Sequence, residues 1–298
     1  MINCTLINNE TGEVLNEAYK ITELEDQMRY NKFAEKKKLD AEFRTLQQEY
    51  LGYFVFFIFE NIDKLTEILS DADLMRFLYL GTYTKRDGHL KFENGNIITK
   101  KHVKGILKSS DTVFKVFWRN VIDNKLIIIE DDSSLLINLD YFYRGSQKEY
   151  YKLTDEKMGN TFTRLYIETT RSLYENSVQR ALKKLSIIYK ILPYISWQYN
   201  VVCTNPKETC KSKIEALTIQ DISNILRYDK TNISKFKQEL HDLKYEGNSI
   251  FIRIGKTKDV NQDFVIVNPQ FYYRGNLAAE LDYLLLLFGL RKGSLVTR

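Results

Sequence analysis

Between Asn232 and Gln238 the chain sets amide, hydroxyl and ammonium groups close together: Asn232, Ser234, Lys235 and Gln238. Asn232, Lys235 and Gln238 recur every third residue, so a helix would hold them roughly on one face. An amide offers a donor beside an acceptor, matching adenine in a major groove, and a cation matches the two acceptors of guanine. A second stretch turns outward Thr112, Val113, Lys115, Val116, Arg119 and Asn120, with Lys115 and Arg119 as its base-reading candidates. Phosphate-binding candidates surround both: Lys100, Lys101, Lys104 and Thr112 in the first case, Thr231, Lys256, Lys258 and Arg274 in the second. Thr112 and Thr231 take matched places at the starts of their helices, where a hydroxyl either meets a phosphate or simply caps the helix. Arg274 and its counterpart Arg144 either reach a phosphate or close off a domain. The chemistry implied is readout of double-stranded DNA, base edges by one set and backbone by the other. Any soluble helix carries polar residues on its open face, so these side chains gain meaning only from the frame that holds them.

That frame is a repeat. Thr99, Val103, Ile106, Leu107, Thr112, Phe114, Phe117 and Val121 match, without a gap, Thr218, Ile222, Ile225, Leu226, Thr231, Ile233, Phe236 and Leu240. Further on, Asn138-Leu139-Asp140-Tyr141-Phe142-Tyr143-Arg144-Gly145 is echoed by Asn268-Pro269-Gln270-Phe271-Tyr272-Tyr273-Arg274-Gly275. Internal repetition marks a unit used twice. In each copy Thr99 or Thr218 caps a helix with apolar residues at i, i+3 and i+4, and Thr218 to Asp221 reads as a capping box. A turn follows (109–111, 228–230), then a second helix backed by Phe114, Phe117, Trp118 and Val121, or by Ile233, Phe236, Leu240 and Leu243. Two short strands close each copy, 126–129 with 135–137 and 250–254 with 264–267. This is the order of a helix-turn-helix with a β-hairpin wing. The closing glycines suggest a backbone conformation closed to other residues.

The fold expected is therefore mainly α with small antiparallel β wings: tandem winged helix-turn-helix domains joined by a helix. Residues 1–69 form an N-terminal turn and helical segment, with Asn9 to Val14 turning between two strands and 22–50 and 51–69 helical. The apolar helix at 51–69 is read as core, with a dimer seam as the alternative. The first winged unit spans 70–146 and opens with a helix ended by Gly81. A short hairpin turning at Asn94-Gly95 follows that helix. A stiff connecting helix spans 147–181, breaking near Asn176-Ser177, on the helical spacing of Phe162, Leu165, Tyr166, Thr169, Leu173 and Tyr174. The second unit spans 182–278, its first helix stopped by Pro193. A tail occupies 279–298.

Composition narrows the function. The chain has 298 residues, 44% hydrophobic and 28% charged, with a net charge of +5. That suits two soluble domains and only mildly favours a polyanionic partner, so charge placement matters more than its sum. No apolar run approaches the roughly 20 residues that span a bilayer, and the first residues lack a signal-peptide order, so a cytoplasmic protein without a membrane partner is expected. Cys203 and Cys210 are spaced too widely for a structural zinc pair, and His89, His102 and His241 show no paired-ligand spacing, so no metal or cofactor is expected. Gly255-Lys256-Thr257 resembles the end of a phosphate-binding loop, yet position 250 is Ile where that loop needs Gly. No nucleophile motif appears, and catalysis is not expected. The two wing tips differ: Glu130, Asp131 and Asp132 would repel DNA, whereas Lys256 and Lys258 suit it. A first unit that faces a protein is therefore the rival reading. A homodimer and a contact with replication or transcription machinery stay open.

The residues Phe264 to Pro269, then Tyr273-Arg274-Gly275, then the apolar 284–288 run resemble the C-terminal half of RepL-type replication proteins of firmicute plasmids and phages, proteins of the MarR-like winged-helix group. Glu10-Thr11-Gly12-Glu13-Val14 resembles the opening of the same family. The resemblance covers the second unit and the N-terminal turn. It implies binding to an origin or operator of a mobile element, replication initiation first and transcription regulation as the alternative, without enzymatic activity.

Overall fold

The computed structural model describes residues 2–21, 24–154, 161–255 and 263–291. In chain order the elements are β1 (Ile2–Ile7), β2 (Val14–Ile21), α1 (Leu24–Tyr50), β3 (Phe54–Ile58), α2 (Ile62–Ile68), α3 (Asp71–Gly81), α4 (Lys100–Leu107), α5 (Asp111–Asp123), β4 (Ile127–Ile129), β5 (Leu135–Ile137), β6 (Phe142–Tyr143), α6 (Gln147–Thr154), β7 (Phe162–Tyr166), α7 (Ile167–Glu175), α8 (Leu182–Lys190), α9 (Ile219–Ile225), α10 (Ile233–Asp242), β8 (Lys244–Tyr245), β9 (Asn248–Ser249), β10 (Phe251–Ile254), β11 (Phe264–Val267) and α11 (Ala278–Leu287). The chain is mainly helical, with small antiparallel sheets of two or three strands. It divides into two compact units, 1–45 and 46–298, and the division falls within α1. In the first unit β1 and β2 form a hairpin whose turn is closed by the Asn8 amide donating to the Glu13 carbonyl. No helix among the described residues is long and apolar enough to cross a membrane.

Within the second unit one order of elements occurs twice: helix, short strand, helix, helix, hairpin. The first pass is α3, the segment at 88–90, α4, α5 and β4–β5. The second is α8, the segment at 200–203, α9, α10 and β10–β11. The short segments each meet a hairpin through a single antiparallel bridge, His89 opposite Leu136 and Val201 opposite Ile266. The repeated octapeptide makes the same bonds both times. The Asn138 side-chain oxygen accepts from the Asp140 amide at 2.8 Å, and Asn268 accepts from the Gln270 amide at 2.9 Å. Each side-chain amide then donates back to a backbone carbonyl just ahead of the wing, that of Lys125 or Ser249, at 3.2 Å in both cases. These asparagines pin each wing to the end of its own unit. Glycine closes each motif because of close approach: a Cβ at Gly145 or Gly275 would run into the ring of Tyr143 or Tyr273.

One apolar core runs through both passes, from Val55 to Tyr272, and α3 packs directly on α8. Polar links follow that contact. Lys190 reaches Asp71 at 3.0 Å, and Arg76 bonds both Asp73 and Gln179. Tyr174 and Gln179 both donate to the Leu107 carbonyl at the end of α4.

Two sequence expectations are corrected. Residues 51–69 are not one helix: Phe54-Val55-Phe56-Phe57-Ile58 is a strand, and only 62–68 is helical. A short, fully apolar run has no periodicity that separates a buried strand from a buried helix. The connecting segment is not a continuous helix either. It contains α6, then β7, then α7, and β7 pairs with β3 across five residues, Phe54 opposite Tyr166 through Ile58 opposite Phe162. Strand β3 thus sits between β6 and β7, and that tertiary pairing outweighs the helical spacing of 162–174. Gly81 ends α3 as expected, being its last residue, and a Cβ there would run into the Phe142 ring.

Candidate nucleic-acid interface

Both second helices of the repeated pair bury one apolar face. On α5 the buried residues are Phe114, Phe117, Trp118 and Val121, and on α10 Phe236 and Leu240 lie inward with Glu239. What remains outward is the set chosen from the sequence. Thr112, Lys115 and Arg119 are exposed on α5, and Asn232, Ser234, Lys235 and Gln238 are exposed at and along α10. Asn232 is the residue before α10 and makes no capping bond with its side chain. Its amide is open to a ligand. The Gln238 amide donates to Asp242 at 2.7 Å, so reading a base would require releasing that bond. On α5, Val113 and Val116 stand exposed beside the polar pair.

The turns between the paired helices are built alike. Lys108 and Arg227 occupy matched places and both adopt the left-handed backbone conformation, at φ 47° and 58°. Residues other than glycine seldom do so, and here the conformation turns a cationic side chain outward twice. The caps are alike too. Thr99 and Thr218 each form a capping box, with His102 and Asp221 respectively as the reciprocal partner.

The phosphate candidates divide. Lys101 is exposed and has no ion-pair partner among the described residues. Lys100 lies over the Trp118 ring at 5.4 Å. Lys104 pairs with Asp111 at 2.5 Å, and this contact holds the Asp111 carboxyl below the usual carboxylate range. Thr112 lies in the first turn of α5, whose cap is Ser110. The Thr231 hydroxyl donates to Asp229 at 2.7 Å, so that hydroxyl is engaged in the local cap. Arg274 is stacked between Trp197, at 3.4 Å from the ring centre, and Phe162, at 4.8 Å. Burial there lowers its pKa to about 10, which leaves it charged at neutral pH. Its counterpart Arg144 buries one guanidinium nitrogen that no group among the described residues accepts. Lys256 and Lys258 lie outside the described residues.

The acidic first wing folds on itself. Glu130 contacts His89 at 2.6 Å and accepts from the Ser134 hydroxyl at 2.7 Å, while Asp132 accepts from the Ser134 amide at 2.8 Å. These bonds hold both carboxyls below their usual range. Two of the three tip acids are thus tied to their own wing.

Of the basic residues beside the second pair, the sequence singles out only Lys235. Arg180, Lys183, Lys184, Lys190, Arg227 and Lys235 line one cleft of about 490 Å³, which also reaches Asn232. The run Arg180 to Lys184 is a signal in the sequence, but it straddles the boundary between the expected connecting helix (147–181) and the second unit (182–278). Arg227, in the left-handed turn, joins them in the folded chain.

No protein-family model matches the chain, and no curated protein or solved structure matches it either. The resemblance to RepL-type proteins rests on the residues quoted for it.

Proposed function

We propose that each pass of helix, strand, helix, helix and hairpin is a winged helix-turn-helix unit, and that the chain binds double-stranded DNA through them. The observation that carries this reading is the second pass. There a capped helix, a left-handed basic turn and a second helix present Asn232, Ser234, Lys235 and Gln238 together on the exposed side. In such units the second helix enters the major groove and its open face meets base edges. Two units in one chain suit two half-sites spaced by about one helical turn of DNA, about 10 base pairs, or a multiple. Binding of this kind needs neither catalysis nor a cofactor. The RepL-like residues favour an origin of replication as the target, with an operator as the alternative.

A second reading is favoured by the first pass, which places Val113 and Val116 on the open face of α5 and Ile128 and Ile129 exposed on β4, beside an acidic tip. Apolar residues flanked by acids suit a protein partner for that unit. Salt separates the two readings. Duplex binding through phosphates weakens steeply, with log K falling linearly in log salt. A flat response across the same salt range would assign the repeats to protein binding.

A further inference from the structure

We propose that the cleft between α8 and the turn into α10 is a phosphate-binding site, occupied by the sugar–phosphate backbone of the duplex that α10 reads. This deepens the DNA-binding reading and rests on it. The lining carries six cations, Arg180, Lys183, Lys184, Lys190, Arg227 and Lys235, and three acids, Asp71, Asp229 and Glu239. All three acids are already engaged. Asp71 pairs with Lys190 at 3.0 Å. Asp229 caps the turn through the Thr231 amide and hydroxyl. Glu239 accepts the Tyr228 hydroxyl at 2.8 Å and lies 4.0 Å from Lys184. Arg180, Lys183, Arg227 and Lys235 are exposed and have no carboxylate within ion-pair range among the described residues.

Four unpaired cations around one concave space leave a local positive field that a polyanion neutralises. The position fits a backbone strand. Asn232 and Lys235 line the cleft and also begin the open face of α10, so a phosphate held here lies next to the bases that helix would meet. Arg227 supplies a planar guanidinium, which suits the oxygens of a phosphate. The first pass has Val113 and Val116 at the places matching Asn232 and Lys235, so it lacks the amide and the ammonium that join this cleft to the open face of α10. A free nucleotide offers the same phosphate chemistry and would fill the same space.

The test uses the full chain with Arg180→Gln, Lys183→Gln and Arg227→Asn combined, the last because Asn tolerates a left-handed backbone. Lys32→Gln with Lys36→Gln and Lys38→Gln, three exposed lysines of α1, serves as the control for lost charge. Binding of a selected duplex, a random duplex and inorganic triphosphate is measured across a salt series. The triple variant should bind both duplexes more weakly by the same factor, and its salt slope should be shallower by about 0.9 for each lost contact. A charge-keeping variant, Arg180→Lys with Lys183→Arg, should bind as the parent does. Duplex binding unchanged in the triple variant, or lost equally in the control, overturns the site. If the parent binds no duplex but binds triphosphate, and the triple variant does not, the phosphate site stands with a free nucleotide as its ligand and the DNA reading fails. Triphosphate and duplex both ignored by the parent would overturn both.

Discussion

Asn232 and Gln238 differ in how free they are, and that difference shapes what their loss should do. Asn232 has no side-chain bond to its own backbone cap, whereas Gln238 is held by Asp242. Replacing both by Ala should change which duplex sequences are preferred, by about 1–3 kcal/mol per lost bidentate contact, with random-duplex binding little affected. Competition binding with single-base variants checks this; preference unchanged in a folded double variant would remove α10 as the reader. Arg274 makes a contrasting case. Its guanidinium is stacked between Trp197 and Phe162, so Arg274→Lys should lower stability by about 1 kcal/mol and leave duplex affinity alone. Thermal unfolding and binding of the same variant separate the roles, since lost affinity at unchanged stability would make Arg274 a phosphate ligand. Gly81→Ala should destabilise by about 1–3 kcal/mol through overpacking, because Phe142 lies across that position and is wedged by Phe57 and Phe77, each at 5.2 Å. Unfolding of the variant at the parent's midpoint would show that the ring can move aside. Gly81 illustrates how far residue identity carries: the sequence marks a helix end, but only the fold shows that an aromatic ring some sixty positions later demands the missing side chain.

The elements built from local chemistry were legible, and those built by pairing were not. Caps at Thr99 and Thr218, the paired apolar stripes and the wing strands follow from residues near one another in the chain, and the structure has them at the expected places, while the cap of α5 is Ser110 rather than Thr112. Strands β3 and β7 stabilise each other over more than a hundred residues of separation, so neither shows in its own spacing. Helix α11 follows the tyrosine motif in a stretch that reads only as an apolar tail, because it is apolar nearly all round and has no stripe to recognise. The basic cleft was invisible for a related reason, since α8 and the turn at Arg227 meet only in three dimensions. The first wing carries a prediction at this scale. Ser134 bonds hold Glu130 and Asp132 below their usual range, the first with help from His89. A carboxyl depressed in the folded state adds stability above its unfolded value, and that stability is lost as pH falls through the folded value. The Ser134 amide signal should therefore stay constant from neutral pH to about 5 and move only below about 4. A transition centred above the ordinary carboxylate range would contradict the self-bonded tip.

At the scale of the whole molecule, residues 46–298 behave as one body because α3 packs on α8 and a single core passes through both repeats. Two readers on independent tethers would tolerate any spacing between half-sites; two readers fixed through α3 and α8 should tolerate few. The central claim is that this fixed pair reads DNA sequence. Selection of bound duplexes from a random pool, at roughly physiological salt, tests it most directly. The account predicts an enriched motif with two elements at one preferred separation, weakened at specific positions by the Asn232 and Gln238 substitutions. Recovery of a pool no different from the input, by a protein shown to be folded, would contradict it.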